Sequence, residues 1–434
     1  MANLEKGSSK LLNAWAFYDW ANSVYPLVIS SAIFPIFYAS LFPGNQTEVA
    51  VFGTTIKNTA LISFVTAAAF LVVAFISPLL SGIADYVGNK KRFMQFFCYL
   101  GALSCIGLYW FSLENIYFGL ACYFFGLIGF WGSLVFYNSY LPDVAFNEQQ
   151  DGLSAKGYSL GYFGSVILLL ISLALVMSQE TDADKVETMK LTFVLTGIWW
   201  IAFSQYTFYH LPKGNKNNDK VTRAVFFNGF RELKKVKNQL FENLPLKRYL
   251  ISFFVYSMAV QTVMLVAVYF GEQEINWEND DQKTIGLIIS ILVIQIVAVF
   301  GAILTSLASS KFGNIKTLIF INAIWAVICV FAYFVTTPMH FYITASFVGL
   351  VMGGIQALSR STYSKFLPKT DDTTSFFSFY DVSEKVGIVI GMLLYGFIDQ
   401  ITGSMRNSIV FLTVFFIVGL LLLLRVPKKV LSNE

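Results

Sequence analysis

The feature that most constrains this chain is a series of apolar stretches too long and too numerous to share a soluble core. Crossing the hydrocarbon of a bilayer takes about 20 apolar residues. Twelve stretches meet that length, at roughly 14–42, 58–82, 93–113, 116–138, 158–178, 190–210, 249–271, 284–309, 315–337, 340–360, 376–400 and 406–425. Backbone amides cannot stay unpaired in lipid, so every crossing must be helical and the chain reads as an all-α polytopic membrane protein. Composition agrees: 56% of the 434 residues are hydrophobic and only 13% charged, about half of what a soluble surface needs. The first stretch is no cleavable leader, because it is too long and Asp19, Pro26 and Pro35 interrupt it.

One connection is long, and it divides the crossings six and six. The expected units are an N-terminal bundle over 1–210, a linker over 211–248 and a C-terminal bundle over 249–434. Lys and Arg set the orientation. With the N-terminus cytoplasmic, twenty-four of the 30 cations fall on inner segments, five on outer ones, and Lys385 lies within a span. Both termini are therefore expected inside. The linker is patterned: Phe226, Phe230, Leu233, Val236 and Leu240 recur at three to four, with Arg231, Lys234, Lys235 and Lys237 between them. That is a basic amphipathic helix, expected to lie on the inner leaflet.

What is scarce excludes other functions. Cys98, Cys105, Cys122 and Cys329 are scattered without metal-ligand spacing, and His210 and His340 are the two histidines. No metal, cofactor or enzyme activity is expected from such a set. The small net charge of +4, placed on one membrane side, argues against nucleic acid. No P-loop occurs to supply ATP-driven transport. The sequon Asn45-Gln46-Thr47 lies on an outer segment.

The two halves repeat. Ser81–Lys91 (SGIADYVGNKK) and Ser306–Lys316 (SLASSKFGNIK) follow the second and eighth spans and share Ser81/Ser306, Gly88/Gly313, Asn89/Asn314 and Lys91/Lys316. YLPD at Tyr140–Asp143 and FLPK at Phe366–Lys369 close the fourth and tenth spans. Matched landmarks in the same order imply a duplicated six-helix unit. Parallel six-helix halves joined by a long loop resemble the major facilitator superfamily. Asp85, Gly88 and Lys90 match its signature between helices 2 and 3, whereas Ser81 and Asn89 depart from it. Three further segments resemble the autophagy-related vacuolar amino acid effluxer family and its bacterial relatives: YDWANSVYP (Tyr18–Pro26), SAKGYSLGYFG (Ser154–Gly164), and GGIQALSRS (Gly353–Ser361) followed by FFSFYDVSEK (Phe376–Lys385). The resemblance implies twelve helices in two pseudo-symmetric bundles and a transporter of small polar solutes, with amino acid efflux as the fungal precedent. It also implies that Asp85 latches the halves together on the cytoplasmic side.

Charges within spans are functional candidates by default, since each is costly unless paired or wet. Asp19, Asn22 and Ser23 form one polar helical face, and Asp381, Glu384 and Lys385 repeat the spacing. Asp85, Gly88, Lys90, Asp143, Arg360, Asp381 and Lys385 are candidates for a cytoplasmic gate. Asp381 and Asp19 are placed about one turn in. Arg360 either answers these acids or caps its own helix. Glu384 and then Asp19 are candidates for carrying a proton, a neutralised Glu384–Lys385 pair being the alternative. Asn22, Tyr25, Trp131, Gln261, Gln295 and Gln356 are candidates for the substrate cavity. Gly157, Gly161 and Gly164 form a small-residue face expected to meet the eighth span. The combined reading is a secondary transporter, monomeric, in a bacterial plasma (inner) membrane, with a small-molecule substrate, lipid and protons as partners. A channel or a non-transporting receptor on the same scaffold is the alternative.

Overall fold

The structure is a computed structural model that describes residues 4–42, 48–51, 53–213 and 223–427, with side chains excepted at 59, 223–230, 232, 280 and 281. The sequon at 45–47 and the side chains of Phe226 and Phe230 lie outside the described residues. Among the described residues, twelve helices are long and apolar enough to cross a membrane. Helix 1 runs Ser9–Ser40 and changes winding twice, with α-helix over Ser9–Asn22, π-helix over Tyr25–Ile33 and α-helix over Phe34–Ser40. Pro26 and Pro35 sit at the starts of the second and third segments, where a missing N–H costs least. The N-terminal bundle continues with helix 2 (Asn58–Val87), helix 3 (Lys90–Gly107), helix 4 (Ile116–Ser139), helix 5 (Asn147–Met177) and helix 6 (Asp182–His210). The C-terminal bundle holds helix 7 (Leu244–Glu274), helix 8 (Asp280–Phe312) and helix 9 (Asn314–Ala332). It ends with helix 10 (Pro338–Phe366), helix 11 (Thr373–Thr402) and helix 12 (Met405–Leu424).

Each bundle has its own apolar core. Residues from Leu11 to Leu211 form one, and residues largely from Val236 to Val426 form the other. Helices 4, 7 and 10 are 67%, 61% and 67% buried along their most apolar windows, against 22% in helices 2 and 8. Helices 4, 7 and 10 are thus interior, while Phe75, Phe300, Leu304 and Leu393 stand exposed on the perimeter, as lipid-facing side chains do.

Several helices outrun the hydrocarbon, so the apolar pattern under-reads their ends. Helix 7 begins at Leu244 because the Asn243 side chain accepts the Leu246 amide at 3.2 Å and Pro245 fits the first turn. The C-terminal bundle therefore starts five residues before the expected 249. Helix 11 begins at Thr373, so Asp381 and Glu384 lie deeper than the sequence pattern suggests.

The linker holds a helix at Arg223–Glu242. Its Val236 and Leu240 are buried in the C-terminal core beside Leu246 and Tyr249. Among the described side chains of that apolar stripe, these two therefore pack on protein, and Leu233 is half-buried. Lys235 bonds Asp372 at 2.9 Å just ahead of helix 11, and the linker helix also packs against helix 2 of the other bundle. A hairpin, Glu48–Val51 with Thr54–Lys57, follows helix 1, with Gly53 at φ 74 in its turn.

Candidate functional site

Twelve successive crossings put the start of helix 1 and the end of helix 12 on one side of the bundles, called here the terminal face. On that face the halves are joined by three clusters.

The first surrounds Arg360 of helix 10, which is 2% exposed. Its guanidinium meets Asp19 Oδ2 of helix 1 at 3.2 Å. It also donates from Nε to Ser154 Oγ at 2.9 Å and from Nη1 to Asn138 Oδ1 at 3.2 Å. Tyr137 donates to the same Asp19 oxygen at 2.8 Å. The rings of Tyr158 and Trp15 flank the guanidinium at 4.3 and 4.8 Å. A planar, always-charged cation among aromatic rings, with four hydrogen bonds from its fork, is a place for Arg and not for Lys.

The second cluster joins the loop between helices 2 and 3 to helix 11. Asp85 accepts the backbone amides of Thr374 at 3.2 Å and Ser375 at 2.6 Å, so a carboxylate of one half caps a helix of the other. Gly88, at φ 66 and ψ 31, ends helix 2 and turns the chain there. Lys90 bridges to Asp143 at 2.5 Å and donates to Thr373 Oγ1 and the Ser139 carbonyl, both at 2.9 Å.

The third cluster occupies the matching place in the repeat. Asp151 of helix 5 pairs with Lys365 of helix 10 at 2.6 Å. It also accepts from Asn314 Nδ2 at 2.9 Å and Ser309 Oγ at 3.1 Å, both from the region joining helices 8 and 9. Asp151 was not among the sequence candidates, because it reads as one more acid at the start of a helix. A signal existed, since Ser310 stands where the first loop has Asp85, so the acid had to come from the facing half.

Deeper in helix 11 lies a separate group. Lys385 Nζ pairs with Asp381 Oδ1 at 2.6 Å and Glu384 Oε2 at 3.0 Å, and sits 3.7 Å from the centre of the Trp131 ring of helix 4. Asp381 and Lys385 thus stand with Glu384 and Trp131, not with Asp19 and Arg360 as a shallow position would have required. Gln261 of helix 7 donates to Glu384 Oε1 at 2.8 Å. Glu384, Gln261, Gln356, Tyr158, Tyr256 and Tyr380 line a small cavity of about 20 Å³, room for a single water. Tyr162 donates to Gln356 Oε1 across the halves.

The remaining candidates divide. Asn22 is buried, with its Nδ2 unpartnered among the described residues, as are Gln295 Oε1 and Asp381 Oδ2. Tyr25 packs inside the N-terminal bundle, stacked on Phe130 at 5.2 Å and near Trp200, because Gly126 leaves its ring the space. The glycine face of helix 5 meets helix 1, not helix 8: a Cβ on Gly157 would collide with Asp19 Oδ2, one on Gly161 with Ser23, and one on Gly164 would press on Trp20. Those glycines let helix 1 come close enough for Asp19 to reach Arg360. Helix 5 meets helices 8 and 10 instead through Ala155, Ala302 and Ala357.

Two six-helix bundles meeting through these clusters and through the packing of helix 5 on helices 8 and 10 define a membrane transporter of the major facilitator fold. The E. coli fucose:proton symporter FucP superposes with a TM-score of 0.69 at 14% identity, covering 97% of this chain and 98% of that one. The proton:xylose symporter XylE does so at 0.69 and 12%, covering 96% and 95%. The chain belongs to the family described as vacuole effluxer Atg22 like, whose profile matches residues 7–431. It is 31% identical over 428 residues to the uncharacterized MFS-type transporter YxiO of Bacillus subtilis, spanning 98% of this chain and 96% of that one. It is also 26% identical over 396 residues to autophagy-related protein 22 of Kluyveromyces lactis, covering 83% and 78%.

Proposed function

We propose that this chain exports a small polar solute, an amino acid in the first instance, by alternating access, and that Glu384 carries the coupled proton. The observation that carries the reading is Glu384 itself: a carboxylate within a membrane span, at the lip of a small cavity, bonded to Gln261 on another helix. Asp381, Glu384 and Lys385 hold two acids against one base, so the group has room for one more positive charge, a proton or a solute's ammonium. The unpartnered Asn22 amide and Asp381 oxygen are further groups for a solute to satisfy.

The Arg360–Asp19, Asp85–helix 11 and Asp151–Lys365 clusters serve as the gate on the terminal face. With all three formed, we take this arrangement as the one closed on that face. The Lys and Arg distribution supports assigning it to the cytoplasm, with both termini inside a plasma membrane. Asp19 is the second proton candidate, although its carboxylate is engaged by Arg360 and Tyr137.

Reconstituted protein loaded with unlabelled amino acid should take up labelled amino acid by counterflow, which a channel does not show. Glu384→Gln should keep counterflow and lose the response to an imposed proton gradient. Unchanged proton dependence in that variant would remove Glu384 from coupling.

A further inference from the structure

The flank of the N-terminal bundle carries a groove that the transport reading leaves unused. It has a volume of about 490 Å³ and is lined by Asn13 and Phe17 of helix 1, Lys156 and Leu160 of helix 5, and Tyr206 of helix 6. Asn13, Phe17, Lys156 and Tyr206 lie toward the terminal-face ends of their helices, and Leu160 lies near the middle of helix 5. Phe163 and Tyr209, on the same two outer helices, are 57% and 62% exposed, so this flank faces lipid. Tyr206 and Tyr209 contact the His210 ring at 4.6 and 5.0 Å, a cluster of the kind that marks headgroup depth.

The groove is apolar except at one end. There Lys156 donates from Nζ to Asn13 Oδ1 at 2.6 Å. Among the described residues its partner is this neutral amide and not a carboxylate. An ammonium has three donors, so two remain for an anion, and the Asn13 amide adds its own.

We propose that this groove binds an anionic phospholipid of the terminal-face leaflet. An acyl chain lies along Phe17, Leu160 and Tyr206, and the headgroup phosphate rests on Lys156 and Asn13. Single-chain apolar volume with a cation at headgroup depth selects such a lipid over a soluble anion, which would gain nothing from the apolar wall. The site adjoins the gate, because at Gly157, the next residue, an added Cβ would meet Asp19 Oδ2 and Arg360 Nη2.

The test is native mass spectrometry of the full-length protein in detergent, titrated with phosphatidylglycerol or phosphatidylcholine. Wild type should hold one phosphatidylglycerol about fivefold more readily than phosphatidylcholine, the gain expected from one cation near the surface. Lys156→Gln should abolish that preference and Lys156→Arg should keep it. Leu160→Trp, which fills the groove, should lower occupancy by both lipids. Excess inorganic phosphate should leave the lipid bound. No preference in wild type, a preference that survives Lys156→Gln, or displacement by phosphate would overturn the proposal.

Discussion

The loop between helices 2 and 3 and the loop between helices 8 and 9 repeat one sequence, yet they bind the opposite half with their charges exchanged. In the first, the end of helix 2 brings the acid: Asp85 reaches across to the amides of Thr374 and Ser375 at the start of helix 11. In the second, the end of helix 8 and the start of helix 9 bring neutral donors, Ser309 and Asn314, and the acid waits on helix 5 as Asp151 with Lys365 beside it. The backbone turn was kept and the chemistry moved to the other partner. The two junctions should therefore fail differently. The Asp151 junction contains a buried ion pair, and removing one member strands the other. The Asp85 junction is a carboxylate on a helix N-terminus, whose loss leaves only amides to be met by water.

The largest effect is expected at Asp151. Asp151→Ala leaves the partly buried Lys365 without its carboxylate and should lower stability by about 3 kcal/mol, seen as a fall in apparent melting temperature of purified protein. Replacing both partners, Asp151→Leu with Lys365→Met, should recover most of that loss, because the stranded charge is gone. If the double replacement melts as low as the single one, the pair is not what makes this junction strong. Asp85→Ala should cost about 1 kcal/mol, the value of a lost helix cap, and a loss equal to that of Asp151→Ala would erase the distinction. The glycines sharpen it further. Gly313, at φ 86 and ψ 153, holds a conformation nearly reserved for glycine, and nothing lies within 4 Å of a Cβ there, so the strain is backbone alone. Gly88, at φ 66 and ψ 31, is left-handed helical, which other residues enter at lower cost. Gly313→Ala should cost about 2 kcal/mol and Gly88→Asn well under 1 kcal/mol in the same melting assay; the reverse order would show that packing, not backbone, sets both turns.

Much of this was legible because hydropathy and repetition are long-range signals. The twelve crossings and the six-plus-six division follow from apolar length alone, and the paired landmarks placed the two loops at equivalent positions. Helix ends were not legible. Asn243 and Asp85 start helices 7 and 11 outside the hydrocarbon, where apolar periodicity no longer reports. Misplacing the start of helix 11 put Asp381 beside the gate when it lies deeper, with Trp131. Partner choice was not legible either. A glycine stripe says that something approaches closely, but not that helix 1, carrying Asp19, is what approaches. Tyr137 had no signal, and Ser154 and Tyr158 stood out only within the SAKGYSLGYFG segment, because an aromatic or a serine in a span has no periodic signature that names its partner, although together they surround Arg360.

The direct test of a gate that opens and closes is a distance across the terminal face. Spin labels on Glu148→Cys and Asp371→Cys, exposed positions on opposite halves outside the three clusters, report that distance, while native Cys98, Cys105, Cys122 and Cys329 are buried. In vesicles, pulsed electron–electron resonance should find mainly a short distance in the otherwise unchanged chain. A second, longer population should grow when Asp85→Ala and Asp151→Ala are combined. One unaltered short distance in both would mean that the halves do not rock and that these clusters are structural joints, not a gate.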